Sequence, residues 1–151
     1  MPQRLNVSHL ILMVALVLTA CAGSGSSGGA SVIRVTDAWA RPTSGTDVGG
    51  VYMTIENTGS GADRLVGLST DVAESASVHE SKSDASGMMS MQPVEGGLEV
   101  PANGAVSLKP GGYHVMLMKL RSPLVANGTF KLTLKFQSGK DVTVDVTVKD
   151  I

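Results

Sequence analysis

"GTFKLTLKFQSGKDVTVDVTVKD", residues 128–150, decides the fold class. Phe130, Leu132, Leu134 and Phe136 share one parity, with Lys131, Thr133 and Lys135 between them. Val142, Val144, Val146 and Val148 repeat the pattern, separated by Asp and Thr. Residues two apart on a strand point to the same face, so each run is a strand with one apolar and one polar side. "SGK" between them is a tight hairpin signal. The same alternation recurs upstream, which predicts strands at 32–40, 51–57, 63–70, 76–81, 88–94, 97–101, 105–110 and 113–120. "NTGSG", "EGG", "PANG", "KPGG" and "ANG" punctuate them, and no stretch carries a long helical period. Ten short strands at this spacing predict one all-β domain, an antiparallel Greek-key β-sandwich over 32–151. "TSGTDVGG" (43–50) is a loop and not a phosphate-binding turn, since no Lys-Ser/Thr pair or helix pattern follows it.

The first twenty residues are not expected in the fold. Arg4 and the apolar run "ILMVALVLTA" form a secretory signal, too short for a membrane span. "LTAC" (18–21) is similar to a bacterial lipobox, which predicts cleavage before Cys21 and acylation of its thiol. Cys21 and the Gly/Ala/Ser run to residue 31 are then a lipidated cysteine and a coil-like tether. The domain is expected to be extracytoplasmic, in the periplasm or at the cell surface, with lipid chains as its membrane anchor; each buried methylene contributes about 0.8 kcal/mol. Without residues 1–20 the net charge is about −2, and no basic patch interleaved with aromatics supports nucleic-acid binding. Cys21 is the only cysteine, so the domain has no disulfide framework and stands on its hydrophobic core.

The chemistry concentrates between residues 79 and 118. Outside the signal segment there are two histidines, His79 and His114, and six methionines; five of the six fall in this window. In "GGYHVMLMKL" (111–120), His114, Met116 and Met118 share one strand face, and Val115 and Leu117 the other. Methionine often only fills cores, but core filling does not call for histidine to share a face with it. Thioether and neutral imidazole form an uncharged soft donor set, which suits Cu(I) and suits Zn(II), Mg(II) or Ca(II) poorly. Blue-copper chemistry would need a Cys thiolate, and Cys21 precedes the tether. No acid/base pair or nucleophile elbow appears, so an enzyme is not expected.

"VHESKSDASGMMSMQPVEGG", "VPANG" and "LKPGGYHVMLM", with "DAWARPT" and "GGVYMTIEN" upstream, resemble the periplasmic copper chaperones called PCuAC. That resemblance covers essentially all of 32–150. It implies a cupredoxin-like sandwich and a histidine, a methionine and an H-x-M pair as ligands. Residue by residue these are His79, Met91, His114 and Met116, binding one Cu(I) per monomeric domain. Both spacings are one residue longer here than in the family, in "ESKSDASG" and around "VEGG", where loops can absorb the difference. Met91 is preferred because it precedes "xPV"; Met89, of the same parity, is the alternative. Met118 is expected to pack in the core below the site, and Met88 to be unligated. The implied function is delivery of copper toward the dinuclear copper site of cytochrome c oxidase, directly or through an intermediate assembly protein. Alternatives are a copper storage or resistance lipoprotein with the same site, or a sandwich scaffold or adhesion module without metal.

Overall fold

The structure is a computed structural model and describes residues 29–150. The signal segment and Cys21 lie outside the described residues. Ten strands form: β1 (Ile33–Ala40), β2 (Val48–Asn57), β3 (Asp63–Thr70), β4 (Ala73–Ser83), β5 (Met89–Pro93), β6 (Leu98–Val100), β7 (Gly104–Leu108), β8 (Tyr113–Leu120), β9 (Thr129–Phe136) and β10 (Asp141–Val148). All ten expected strands are present, and no helix occurs among the described residues. β2 starts three residues earlier than its alternation predicts, because Val48–Val51 pairs with β8 across a Gly-Gly step.

The hydrogen-bonded path runs β5-β4-β8-β2-β1-β10-β9-β3-β6, with β7 also on β2. One pair departs from the antiparallel expectation: β1 runs parallel to β10 at Trp39↔Thr147 and Ala40↔Val148. It does so beyond a bulge between Thr36 and Trp39, where Asp37 takes φ 51. Such a bulge bends the strand and lets the path pass from one layer of a sandwich to the other. The hairpin that set the fold class behaves as expected: Phe130, Leu132, Leu134 and Phe136 are buried against Val146 and Val148 in the common core. Val51, Met53 and Ile55 of β2 and Val115 and Leu117 of β8 enter that core from the other layer.

The N-terminal end of the domain is tied down by a buried polar cluster. Ser31 Oγ donates to Asp63 Oδ2 at 2.5 Å, and Ser138 Oγ donates to the same oxygen at 2.6 Å. Arg64 N and Ser138 N donate to Asp63 Oδ1, and Lys140 Nζ donates to the Ser31 carbonyl. The sequence places Ser31 in the tether; here it is buried and belongs to the fold. Burial alone would raise the Asp63 carboxyl, but hydrogen bonds from Ser138, Ser31 and the backbone outweigh it and hold the pKa below the usual aspartate value. A depressed folded-state pKa gives stability that is present above the unfolded value, near 3.9, and lost as pH falls through the folded one. Asp63→Asn is therefore expected to flatten the acid limb of the stability curve below about pH 4, as measured by urea unfolding across pH.

Candidate metal centre

β4 lies between β5 and β8, and its register collects the donors. His79 stands directly opposite His114, Ser77 opposite Met116, and Ser75 opposite Met118. On the other side, Ser81 stands opposite Met91 and Ser83 opposite Met89. Directly opposed residues share a sheet face, so both imidazoles and four thioethers lie on one face of three neighbouring strands. Val78, Val115 and Leu117, of the other parity, are buried beneath. On that face β4 offers mostly small Ser side chains beside the donors, and β2 offers Gly50 opposite Met116. A Cβ at Gly50 would come within 3.0 Å of the Tyr52 hydroxyl.

The two imidazoles are held in place by hydrogen bonds that leave one nitrogen of each free. His114 Nδ1 lies 3.1 Å from the Gly112 carbonyl. A carbonyl only accepts, so Nδ1 carries the proton and Nε2 presents a lone pair. His79 Nε2 lies 3.0 Å from Ser77 Oγ. When His79 donates to that oxygen, Nδ1 is the lone-pair nitrogen. Both remaining atoms, His79 Nδ1 and His114 Nε2, are buried with no hydrogen-bond partner. Leaving a buried polar atom unsatisfied costs about 1–3 kcal/mol. The ring centroids are 6.1 Å apart. A ligating histidine characteristically donates its second nitrogen to a carbonyl or another acceptor; His114 does so to Gly112, and His79 does so when its Nε2 donates to Ser77. No three His, Cys, Asp or Glu side chains converge among the described residues. The soft side-chain donors that share the face of the two imidazoles are thioethers.

A cleft of about 460 Å³ opens over this face, lined by Met89, Met91, His114 and Met116 together with Arg41 and Tyr52. His79 does not line the cleft but sits beside His114. Met89 and Met91 are both 60% exposed, and all of β5 is solvent-facing. "ESKSDASG" runs from the end of β4 into the β4–β5 turn, where Asp84 Oδ1 accepts from Ser86 N and Met88 N. "VEGG" forms the turn before β6, where Gly96 and Gly97 take positive φ. Met88 is in the turn and exposed.

One expectation is overturned. Met118 is not a core residue: it is 38% exposed, on the donor face, opposite Val48 and Ser75. Lys119 adopts a left-handed conformation (φ 53), which breaks the alternation of β8 and returns Leu120, not Met118, to the interior. Sequence reasoning missed Arg41 and Tyr52. Tyr52 was legible, since it shares parity with Gly50 and not with the apolar Val51 and Met53; it stacks on Trp39 with centroids 4.5 Å apart. Arg41 reaches the cleft through the chain's path after β1, which no local pattern reports.

Burial, and secondarily the charge of a protonated His114, hold the His79 imidazole below its usual pKa. The neutral, lone-pair form is thereby favoured, and proton competition at His79 begins only below the unperturbed value of about 6.5. Metal affinity is expected to hold at neutral pH and to fall in buffer more acid than about pH 6.5 as protons compete for His79. A competition titration at several pH values measures this.

Comparison with known proteins gives a family and a fold. The family described as "Putative lipoprotein LpqE-like" matches residues 33–148. "Putative lipoprotein Lxx21020" of Leifsonia xyli subsp. xyli (strain CTCB07) is 34% identical, over 97% of this chain and 91% of its own length. The solution structure of CuI-DR1885 from Deinococcus radiodurans is 33% identical and superposes with a TM-score of 0.58, covering 85% of each chain. The copper-bound PCuAC domain from PmoF2 shares the fold with a TM-score of 0.65 at 24% identity, covering 81% of this chain and 99% of that one.

Proposed function

The chain belongs to the LpqE-like family, and from that premise we propose that it is a lipid-anchored, extracytoplasmic Cu(I) chaperone. One observation carries the reading: two buried imidazole nitrogens without partners, side by side, on a sheet face whose other donors are thioethers. His79 Nδ1 and His114 Nε2 supply nitrogen, and Met116 and Met91 supply sulfur. Copper is the cargo. None of the four donors carries charge, so the set favours the low-charge soft ion Cu(I) over Zn(II) or Ca(II). The CuI form of the 33% identical Deinococcus protein supports the same choice of metal.

Delivery follows from the strength and placement of the donors. A thiolate-rich acceptor outbids thioether and imidazole for Cu(I), so metal leaves downhill. The cleft is open to solvent and two of its thioethers stand on an exposed edge strand, so a partner can approach. The resemblance to PCuAC proteins supports the dinuclear copper site of cytochrome c oxidase as the destination, directly or through an intermediate. The test mixes the Cu(I)-loaded protein with an isolated oxidase copper-site domain and follows both by NMR. Loss of copper-dependent shifts at His79 and His114, with matching gains on the acceptor, supports delivery. Retention of copper, with normal oxidase activity in a deletion strain at low copper, supports storage instead.

The anchor would keep the donor near membrane-bound acceptors at high effective concentration. Cys21→Ala is expected to move the protein from the membrane to the soluble extracytoplasmic fraction or to leave an uncleaved precursor. Fractionation and intact mass decide this; a mature wild-type chain without acyl mass would contradict it.

A further inference from the structure

Soft donors stand opposite five successive same-face positions of β4, on the strands to either side of it. Met89 stands opposite Ser83, Met91 opposite Ser81, His114 opposite His79, Met116 opposite Ser77 and Met118 opposite Ser75. Alternate residues of an antiparallel strand are about 7 Å apart, so Met89 and Met91 follow one another at that spacing on β5, and His114, Met116 and Met118 do so on β8, a ladder whose rungs change sides only at β4. The four-donor centre uses only its middle rungs. The outer two, Met89 and Met118, have no packing role to explain them: they are 60% and 38% exposed. They differ in placement. Met89 lines the cleft together with Met91, His114 and Met116, whereas Met118 does not. Met89 also begins β5, which pairs with β4 alone and is exposed throughout.

A centre with all four positions filled has no vacancy for an acceptor's donor. An acceptor is reached most readily when a bond to an inner donor is exchanged for one nearer the surface. We infer that Met89 is an exit ligand, a thioether at the cleft rim that takes Cu(I) from the resting centre and holds it, with Met91, where an acceptor can reach it. This deepens the Cu(I) reading above and rests on it. The step is a ligand exchange without electron transfer: copper stays Cu(I) and no proton moves. The bond from copper to the Met89 sulfur forms, and the bond to Met116 breaks. Met116 is the ligand furthest from Met89 along the ladder. Methionine is unbranched with three rotatable bonds, so the sulfurs of Met89 and Met91 can converge on one ion from adjacent rungs. The exposed edge strand lets them do so without repacking the core.

The experiment separates rate from affinity. Full-length protein, purified from membranes in detergent, is loaded anaerobically with Cu(I). Its affinity is measured by equilibrium competition against bathocuproine disulfonate, and its release by stopped-flow transfer to excess bicinchoninate. Met89→Leu is expected to leave the Kd within about threefold and to slow release by at least about tenfold. Met118→Leu, a matched exposed thioether outside the cleft, is expected to change neither. Met91→Leu is expected to weaken the Kd itself. Unchanged release in Met89→Leu overturns the inference, as does equal slowing by Met118→Leu. A loss of affinity in Met89→Leu as large as in Met91→Leu makes Met89 a resting ligand; it overturns the exit role and leaves the copper reading standing. Failure of the wild-type protein to bind Cu(I) overturns both.

Discussion

His114→Leu is expected to weaken Cu(I) binding by more than about a hundredfold, beyond what losing a partner outside the ligand sphere costs, while the metal-free fold persists. The binding loss has a direct cause: Nε2 is a buried nitrogen with a free lone pair, directly opposite the second imidazole. Persistence of the fold is less obvious, because His114 is only 5% exposed. Three terms decide it. Leucine fills much of the imidazole's space with apolar surface, which favours the variant. Removing Nε2 also relieves an unsatisfied buried polar atom. Against these, the bond from His114 Nδ1 to Gly112 is lost, but the Gly112 carbonyl still accepts from Ser81 N at 3.1 Å and is not orphaned. The metal-free stability is therefore expected to change by less than about 1 kcal/mol. Denaturant unfolding with and without Cu(I) measures both effects. The wild type should gain stability from the ion and the variant should not.

Leu117→Ala is expected to do the reverse. Leu117 neighbours Met116 and Met118 in sequence but is fully buried on the other face of β8. Truncating it opens a cavity between the layers and costs about 2–5 kcal/mol. The donor face is untouched, so the folded variant should bind Cu(I) with near-native affinity. Met118→Leu, one residue away, should cost less than about 0.5 kcal/mol, as exposed substitutions usually do. Urea midpoints for the two variants should therefore differ widely. Similar midpoints would mean that the faces of β8 are wrongly assigned.

Period-two alternation made the fold legible, because a half-buried strand must repeat every second residue whatever its neighbours. All ten strands and the β9–β10 hairpin were visible on that ground. The parallel β1–β10 pair was not, since strand partners are set by where the Asp37 bulge turns the chain. The shared face of His114 and Met116 was legible within one strand. The direct opposition of His79 and His114 was not, because register between β4 and β8 depends on pairing across the sheet. Met118 shows where alternation fails. A single left-handed residue, Lys119, exchanged the interior position expected of Met118 for Leu120. Nothing in "LMKL" announces that turn, since lysine has no special preference for positive φ. The unpaired ring nitrogens, which carry the metal reading furthest, emerge only when Ser77 and Gly112 are seen to occupy the other nitrogen of each ring.

The central claim is that His79, Met91, His114 and Met116 hold one Cu(I). The most direct test is X-ray absorption at the copper edge on the protein loaded anaerobically to saturation. The expected result is one Cu(I) per chain with two nitrogen and two sulfur neighbours, reduced to one nitrogen in either histidine variant and to one sulfur in Met91→Leu or Met116→Leu. A copper shell that keeps both sulfurs in those two methionine variants, or that contains only nitrogen and oxygen, would contradict it.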